Sequence, residues 1–291
     1  MTPVRDRIQE GATERKISWL AFAWFGGLLV VSYAPTLLAL INQWNYDADM
    51  GHGFFVPIIS GFIAWQKRDV LLSEPPSPNW WGLLVVAYGA AQMYAATLGA
   101  EVFLARTAFV ISVIGIVLFL CGTRYVRILA FPLFLLFFMV PIPAIVYNRI
   151  TFPLQILASK VATGALEILQ VPVMREGNVL HLSDTSLSVV EACSGIRSLL
   201  SLTFLSLVYG FFFEGRRWVR LTLFLATIPI AIFANAFRVT LTGVLTEYKK
   251  ELAEGFFHSA EGWVIFMIAL LSLLGFHQIL RIGLKLGQKH G

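Results

Sequence analysis

The sequence predicts an all-α polytopic membrane protein with about eight transmembrane helices. Of its 291 residues, 57% are hydrophobic and only 13% are charged, which is about half the charged fraction of a soluble domain. The mean hydropathy is +0.75, and a soluble fold of this length could not bury so much apolar surface in one core. The apolar runs are long, unbroken by charge and rich in Leu and Phe, which favours helices over the alternating strands of a barrel.

Eight apolar runs predict the spans. They cover roughly residues 17–41, 53–66, 80–99, 102–121, 126–147, 195–213, 218–243 and 259–281. The first run is too long for the apolar core of a signal peptide and predicts a retained span. The second is short and is expected to be interrupted by Pro57, which predicts a tilted or partly re-entrant segment. Proline at 132, 141 and 143 predicts a kinked or unwound outer end for the fifth.

Residues 148–192 form the longest stretch between spans. Residues 151–170 have an amphipathic helical pattern and are expected at the membrane interface. Residues 179–182 and 187–190 are strand-like and joined by Ser-Asp-Thr-Ser, which predicts a β-hairpin. The sequence therefore predicts a small extracytoplasmic amphipathic helix plus a β-hairpin before the sixth span.

The basic residues orient the bundle. Lys and Arg precede the first span and follow the second, fourth, sixth and eighth, so they share one side if the spans alternate. By the positive-inside rule, residues 1–16 and 286–291 are then cytoplasmic, and residues 17–285 form one membrane-embedded domain. This topology accounts for the net charge of +5, and no basic stripe with interleaved aromatics predicts nucleic-acid binding.

Three ionisable residues converge on the outer leaflet in this topology. Cys193 lies at the outer entrance of the sixth span, and His258 precedes the eighth. Arg238 lies seventeen residues, or roughly 25 Å, beyond Leu221, near which the seventh span enters from the cytoplasm. This puts it near the outer face of an apolar core about 30 Å thick. Each residue also has an ordinary structural interpretation. Cys193 could be a small apolar packing residue, Arg238 could contact lipid head groups, and His258 could be a solvated loop residue. Their shared depth predicts a catalytic site.

The chemistry of these groups is coherent. A thiolate is a nucleophile, and a helix N-terminus or a nearby cation lowers the pKa of a thiol. His258 is the candidate general base, and Arg238 is the candidate group to stabilise an oxyanion or bind a substrate carboxylate. Arg197, one turn after Cys193, is a candidate to support the thiolate or to contact head groups.

Weaker candidates surround this set. Asn235 precedes Arg238 by three residues, Glu261 follows His258 by three and could orient its imidazole, and His52 lies on the outer side. A structural or supporting role is favoured for all three. Cys121 is expected to be a packing residue on the cytoplasmic side. No serine-hydrolase, zinc-protease, phosphate-loop or paired-cysteine metal motif is present in the sequence, so no cofactor and no metal is predicted.

The candidate residues stand in short segments of the sequence. These are Glu-Ala-Cys-Ser-Gly-Ile-Arg-Ser at 191–198, Asn-Ala-Phe-Arg-Val at 235–239, His-Ser-Ala-Glu-Gly-Trp at 258–263 and Asp-Met-Gly-His-Gly-Phe at 49–54. The first three resemble the signature blocks of the exosortase/archaeosortase family, and the fourth resembles an early block of that family. The resemblance covers about residues 18–285. It implies a polytopic membrane cysteine protease or transpeptidase with Cys193, Arg238 and His258 as active residues.

The resemblance also implies the substrate and the location. Such enzymes act on exported, membrane-anchored proteins with a C-terminal tripartite sorting signal: a short motif such as Pro-Glu-Pro, a transmembrane helix and a basic tail. The implied reaction is cleavage at the outer face of a bacterial inner membrane through a Cys193 thioacyl-enzyme. The acyl group would then be transferred to an amine on a lipid or another molecule, or to water. The lipid bilayer is the other expected partner.

Two other classes of function stay open on the sequence. The chain could be a transporter or scaffold component for surface-polymer export, although no carboxylate lies deep in a span as proton-coupled transport requires. It could also be an acyl- or glycosyltransferase with His258 as base and no covalent intermediate. Both predict that Cys193 is dispensable.

Overall fold

The computed structural model describes residues 19–183, 185–189, 195–248 and 256–289. The side chains of residues 19, 48, 49, 195–198, 248, 256–261 and 287–289 lie outside this description. The chain divides into two compact units, residues 1–142 and residues 143–291.

The described part of the first unit is helical. It comprises α1 (Trp19–Ser32), α2 (Ala34–Tyr46), a 3-10 helix η1 (Ala48–Phe54), α3 (Phe55–Gln66), α4 (Arg68–Ser73), α5 (Trp81–Leu98), α6 (Val102–Cys121), α7 (Thr123–Ile128), α8 (Ala130–Leu135) and a second 3-10 helix η2 (Leu136–Met139).

The first predicted span is not one straight helix. It breaks at Tyr33, and α1 and α2 are bent by 70°. The Tyr33 hydroxyl lies 3.2 Å from the carbonyl oxygen of Gly89 in α5 and 3.0 Å from the Ser112 hydroxyl in α6. Pro35 lies in the first turn of α2, where a missing N–H costs no helical hydrogen bond. The span predicted over 17–41 is therefore interrupted, and the bent pair α1 and α2 remains one candidate span.

Helices α5 and α6 form a close-packed hairpin. A methyl group added at Gly82 would collide with the backbone of Phe119, and one added at Gly115 would lie 2.8 Å from the Val86 side chain. Small residues at such contacts let two backbones approach, which is how helices associate in lipid. Gly122, with φ of +90°, ends α6 against the carbonyl of Ser77, so this position requires glycine.

Two proline predictions have different outcomes. Pro57 does not interrupt its segment, because it lies in the first turn of α3, where helical N–H groups have no intrahelical partner. The fifth run is broken as expected: α7, α8 and η2 are short and end at Met139, and Val140 is extended before Pro141 and Pro143.

In the residues that the structure describes, the second unit contains a sheet and four long helices. Its described elements are α9 (Ala144–Ile168), β1 (Met174–Glu176), β2 (Val179–His181), β3 (Ser186–Ser188), α10 (Gly195–Phe213), α11 (Arg217–Tyr248) and α12 (Phe256–Lys289). The helix expected over 151–170 begins earlier, at Ala144.

The sheet is antiparallel, in the order β1-β2-β3. Leu180 pairs with Arg175 on one side and with Leu187 on the other. The sequence predicted the two strand segments that form β2 and β3 but not β1. One apolar cluster joins the sheet to α9 and α11; its buried members are Ala162, Leu166, Val171, Leu180, Leu182, Val189 and Val239.

Helices α10, α11 and α12 share a second core. Its buried members are Leu202, Val219, Leu223, Ala269 and Leu273. Helices α5, α6, α11 and α12 are each long and apolar enough to cross a membrane. Two interrupted pairs, Leu20–Ser32 with Ala34–Tyr46 and Ala130–Met139 with Ala144–Ile168, bring the candidates to six at most among the described residues. The count of eight stays a prediction.

Candidate active site

Arg238 lies on α11 and contacts α12. A methyl group added at Gly262 would lie 3.5 Å from Cζ and from both terminal nitrogens of Arg238. The guanidinium therefore rests on the surface of α12 at a residue that has no side chain. The neighbouring Val239 is fully buried in the cluster under the sheet, and the side chain of Leu166 reaches Gly243 one turn later. These contacts fix the rotation of α11 about its axis, and with it the direction of Arg238.

Gly262 relates Arg238 to His258. Both Gly262 and His258 belong to α12, and residues four apart lie on the same face of a helix. Arg238 thus contacts α12 one turn from His258. The side chains of His258 and Glu261 lie outside the described residues. The sequence analysis did not identify Gly262. Glycine weakens a helix interior, so a glycine one turn after the candidate base His258 is a signal that another group packs closely there.

Helices α10 and α11 form an antiparallel hairpin. A methyl group added at Gly210 would lie 3.5 Å from the Arg220 side chain, and the hydroxyls of Thr203 and Thr227 are 3.3 Å apart. Each step back along α10 is therefore matched by a step forward along α11. Eight residues back from Thr203 is Gly195, and eight forward from Thr227 is Asn235. The first residue of α10 is thus level with Asn235, about one turn from Arg238.

The same level is reached from the other end of the bundle. Tyr209 on α10 and His277 on α12 are joined by a 2.8 Å hydrogen bond between the hydroxyl and Nδ1. Gly195 lies about 21 Å before Tyr209 along α10, and Gly262 lies about 22 Å before His277 along α12. The start of α10, Arg238 and the His258 turn of α12 therefore occupy one end of the three helices.

Comparison with known proteins identifies the family. The model of the transmembrane exosortases (Exosortase_EpsH) matches residues 44–275, which is well over half of the chain. The chain belongs to the transmembrane exosortase family. No curated protein and no solved structure matches it. Membership of the family and the long apolar helices together make the chain a polytopic membrane protein.

The remaining candidates of this exosortase-family chain are placed as follows. Cys193 lies outside the described residues, two positions before α10, and Arg197 is in the first turn of α10 with its side chain outside the description. Asn235 is partly buried on α11, and His52 is partly buried in η1 of the first unit. Cys121 is 1% exposed at the end of α6.

A buried polar cluster at the opposite end of the three helices was not predicted. His277 is fully buried; its Nδ1 contacts the Tyr209 hydroxyl, and its Nε2 lies 3.2 Å from a carboxylate oxygen of Glu214. Because a carboxylate only accepts, Nε2 donates to it, and Nδ1 can accept from the tyrosine. The backbone N–H of Arg216 donates to the other carboxylate oxygen at 2.9 Å and, with the His277 contact, holds the pKa of Glu214 below its usual range against the opposing effect of burial.

This cluster joins α10, α12 and the turn between α10 and α11. Arg220 adds a bond from its Nε to the backbone carbonyl of Glu214, at 2.6 Å. The sequence shows each residue, but the pairs are 63 and 68 positions apart, so no local pattern joins them. Among the described residues, no group of three or more His, Cys, Asp or Glu is placed to hold a metal ion.

Proposed function

We propose that this chain is a protein-sorting cysteine transpeptidase that cleaves the C-terminal sorting signal of exported, membrane-anchored proteins. Family membership supports the reaction class. The observation that carries the residue assignment is the contact of the Arg238 guanidinium with Gly262, one turn from His258 and level with the start of α10. The segment that carries Cys193 leads directly into that start.

In the proposed reaction, the Cys193 thiol gives its proton to His258, and the thiolate sulfur attacks the scissile carbonyl carbon. The carbonyl electrons move to oxygen, and the cationic Arg238 stabilises the resulting oxyanion. The carbon–nitrogen bond then breaks, His258 returns the proton to the leaving amine, and a thioester remains on Cys193. An acceptor amine, or water, attacks the thioester and restores the thiol.

The start of a helix favours this use of the thiol. The N-terminal end of α10 carries the positive end of a helix dipole, which stabilises a thiolate. Arg238 adds a full positive charge on a rigid helix in contact with a second helix. A guanidinium keeps its charge at all relevant pH values, so it suits a permanent electrostatic role and leaves proton transfer to His258.

We also propose that the substrate carries a C-terminal sorting signal and that an amine is the acceptor. Cleavage would take place at the outer face of a bacterial inner membrane. A substrate with a short motif, a transmembrane helix and a basic tail would approach through the bilayer. Its scissile bond would lie just outside the apolar core. The depth of Arg238, about 31 Å from the start of α11 at Arg217, is compatible with cleavage at that boundary.

The test is co-expression of such a substrate with wild type, Cys193→Ala and Cys121→Ala, followed by mass spectrometry of the substrate's C-terminus. Cys121 is the matched control, because it is the only other cysteine and is buried at the end of α6. We expect loss of the tail with wild type and Cys121→Ala, and intact substrate with Cys193→Ala. The mass of the new terminus separates hydrolysis from transfer to an amine. Processing by Cys193→Ala at the wild-type rate would refute the mechanism and favour the transport or non-covalent transferase hypotheses.

A further inference from the structure

A groove on the first unit lies between α3 and the segment that runs from the end of α7 through α8. It has a volume of about 230 Å³. Each side contributes one helical face, with residues spaced by three, four and seven positions. The lining residues are Pro57, Ser60, Gly61 and Ala64 on one side and Leu129, Pro132, Leu133 and Leu136 on the other. The groove is apolar and open at its surface.

Ser60 is the one residue with a polar side chain among those that line the groove. The residue is only 4% exposed, and its hydroxyl has no hydrogen-bond partner in the described part of the chain. A buried hydroxyl without a partner is costly. A ligand with an apolar chain and a hydrogen-bond acceptor, such as an ester carbonyl, would satisfy both the lining and the hydroxyl.

The groove has one basic end. Lys67 and Arg68 follow α3 directly, and Arg127 precedes Leu129 by two residues. The two sides run antiparallel, because the Tyr125 hydroxyl of α7 donates to the carbonyl oxygens of Leu71, at 2.5 Å, and Glu74, at 2.8 Å, in and just after α4. The basic residues therefore cluster at the same end.

Positive charge exceeds negative charge at this end. Arg68 is 3.6 Å from Asp69, and Arg124 is 2.9 Å from Glu74. Arg127 is exposed and makes no ion pair within the described ranges. The Arg68 guanidinium also lies 4.2 Å from the ring centre of Trp65, and tryptophan is typical of the membrane–water boundary. The basic end is thus suited to an anion at the level of the lipid head groups.

We infer that this groove binds one acyl chain of an anionic phospholipid, with the head-group phosphate held at Arg127 beside Lys67 and Arg68. The volume admits part of an extended chain but not a transmembrane helix, whose diameter with side chains is about 10–12 Å. The basic end would also repel the basic tail of the proposed substrate. The inference concerns the first unit alone and does not depend on the proposed catalytic residues.

The experiment is native mass spectrometry of the full chain in detergent after incubation with an equimolar mixture of phosphatidylglycerol and phosphatidylcholine with identical acyl chains. Gly61→Leu fills the groove, and it fits because a Cβ at Gly61 meets no atom within 4 Å. Gly26→Leu is its control, because a Cβ there also meets no atom within 4 Å. Arg127→Gln removes the proposed phosphate contact, and Lys285→Gln, at an exposed residue of α12, is its control.

We expect wild type to retain phosphatidylglycerol over phosphatidylcholine. Arg127→Gln should lower phosphatidylglycerol retention about fivefold. It should lower phosphatidylcholine retention by less, because the choline cation offsets the phosphate charge. Gly61→Leu should lower the retention of both lipids. The two control variants should match wild type. Equal retention of the two lipids by wild type, or equal retention by Gly61→Leu and Gly26→Leu, would overturn the inference and indicate only non-specific lipid around the protein. Arg127→Gln, an exposed substitution, keeps the test valid if the groove variant fails to fold.

Discussion

The contact between Arg238 and Gly262 allows the proposed site to be perturbed in graded steps without replacing any of its proposed catalytic residues. In Gly262→Ala, the added methyl lies 3.5 Å from the guanidinium, which is an ordinary van der Waals distance. In Gly262→Val, the two further methyls extend about 1.5 Å beyond that point. They would overlap the guanidinium unless Arg238 moves by roughly 1 Å.

The size of the effect follows from that displacement. A misplacement of 1 Å in a catalytic arrangement costs on the order of 10²-fold in rate, equivalent to about 2.7 kcal/mol of transition-state stabilisation. We therefore expect Gly262→Ala to process substrate at close to the wild-type rate and Gly262→Val to be about 100-fold slower. The Ala variant should also be more stable by about 0.5–1 kcal/mol, because alanine is favoured over glycine in a helix.

The assay is the initial rate of substrate cleavage by purified protein in detergent, with thermal unfolding measured in parallel. Gly275→Val is the matched control, because Gly275 lies on the same helix and a Cβ there meets no atom within 4 Å. Both valine variants carry the same penalty in helix propensity. Equal cleavage rates for Gly262→Val and Gly275→Val would refute the argument that Arg238 must lie against α12 for activity.

Four further substitutions test the fold. His277→Ala should destabilise the protein by about 3 kcal/mol, because it empties a fully buried site and removes two hydrogen bonds; thermal unfolding in detergent measures this. Glu214→Gln should be less stable than wild type at neutral pH. Because the folded-state pKa of Glu214 is lowered, the wild-type advantage should persist above about pH 4.3 and shrink as the pH falls below it; an unfolding series over pH with no such convergence would contradict this. Gly122→Ala should cost about 2 kcal/mol or more, since φ is +90° and the added methyl meets the Ser77 carbonyl. Gly177→Ala, with φ of +62° and open space, should cost less by the same measurement.

Much of the helix pattern could be predicted from the sequence where a single apolar run sets both ends. The runs at 102–121 and 195–213 coincide with α6 and α10, and 80–99 differs from α5 by one residue at each end. The length of the apolar run did not indicate the break at Tyr33, although Pro35 is a local signal for a helix end just before it. The bend is stabilised by hydrogen bonds to residues 56 and 79 positions away, which no local pattern shows.

Strand β1 and the buried polar cluster also depend on contacts between distant residues rather than on local sequence patterns. Strand β1 is Met-Arg-Glu, which has no apolar alternation, and it is held by pairing with β2. His277 looks like an isolated polar residue in an apolar run until Tyr209 and Glu214 are brought to it by the fold. Counting residues could assign a depth to Arg238, but it could not indicate which neighbouring helix the side chain contacts.

The α5–α6 hairpin also constrains the order in which the first unit can be assembled during synthesis. Helices α1 and α2 leave the ribosome before either partner of the Tyr33 hydroxyl, Gly89 or Ser112, has been made. The contacts between α5 and α6 are by contrast local in sequence, and the glycines at their interface need no other helix to pack. The hydrogen bonds that hold the bend at Tyr33 can therefore form only after α5 and α6 have been made, although α1 and α2 are synthesised first.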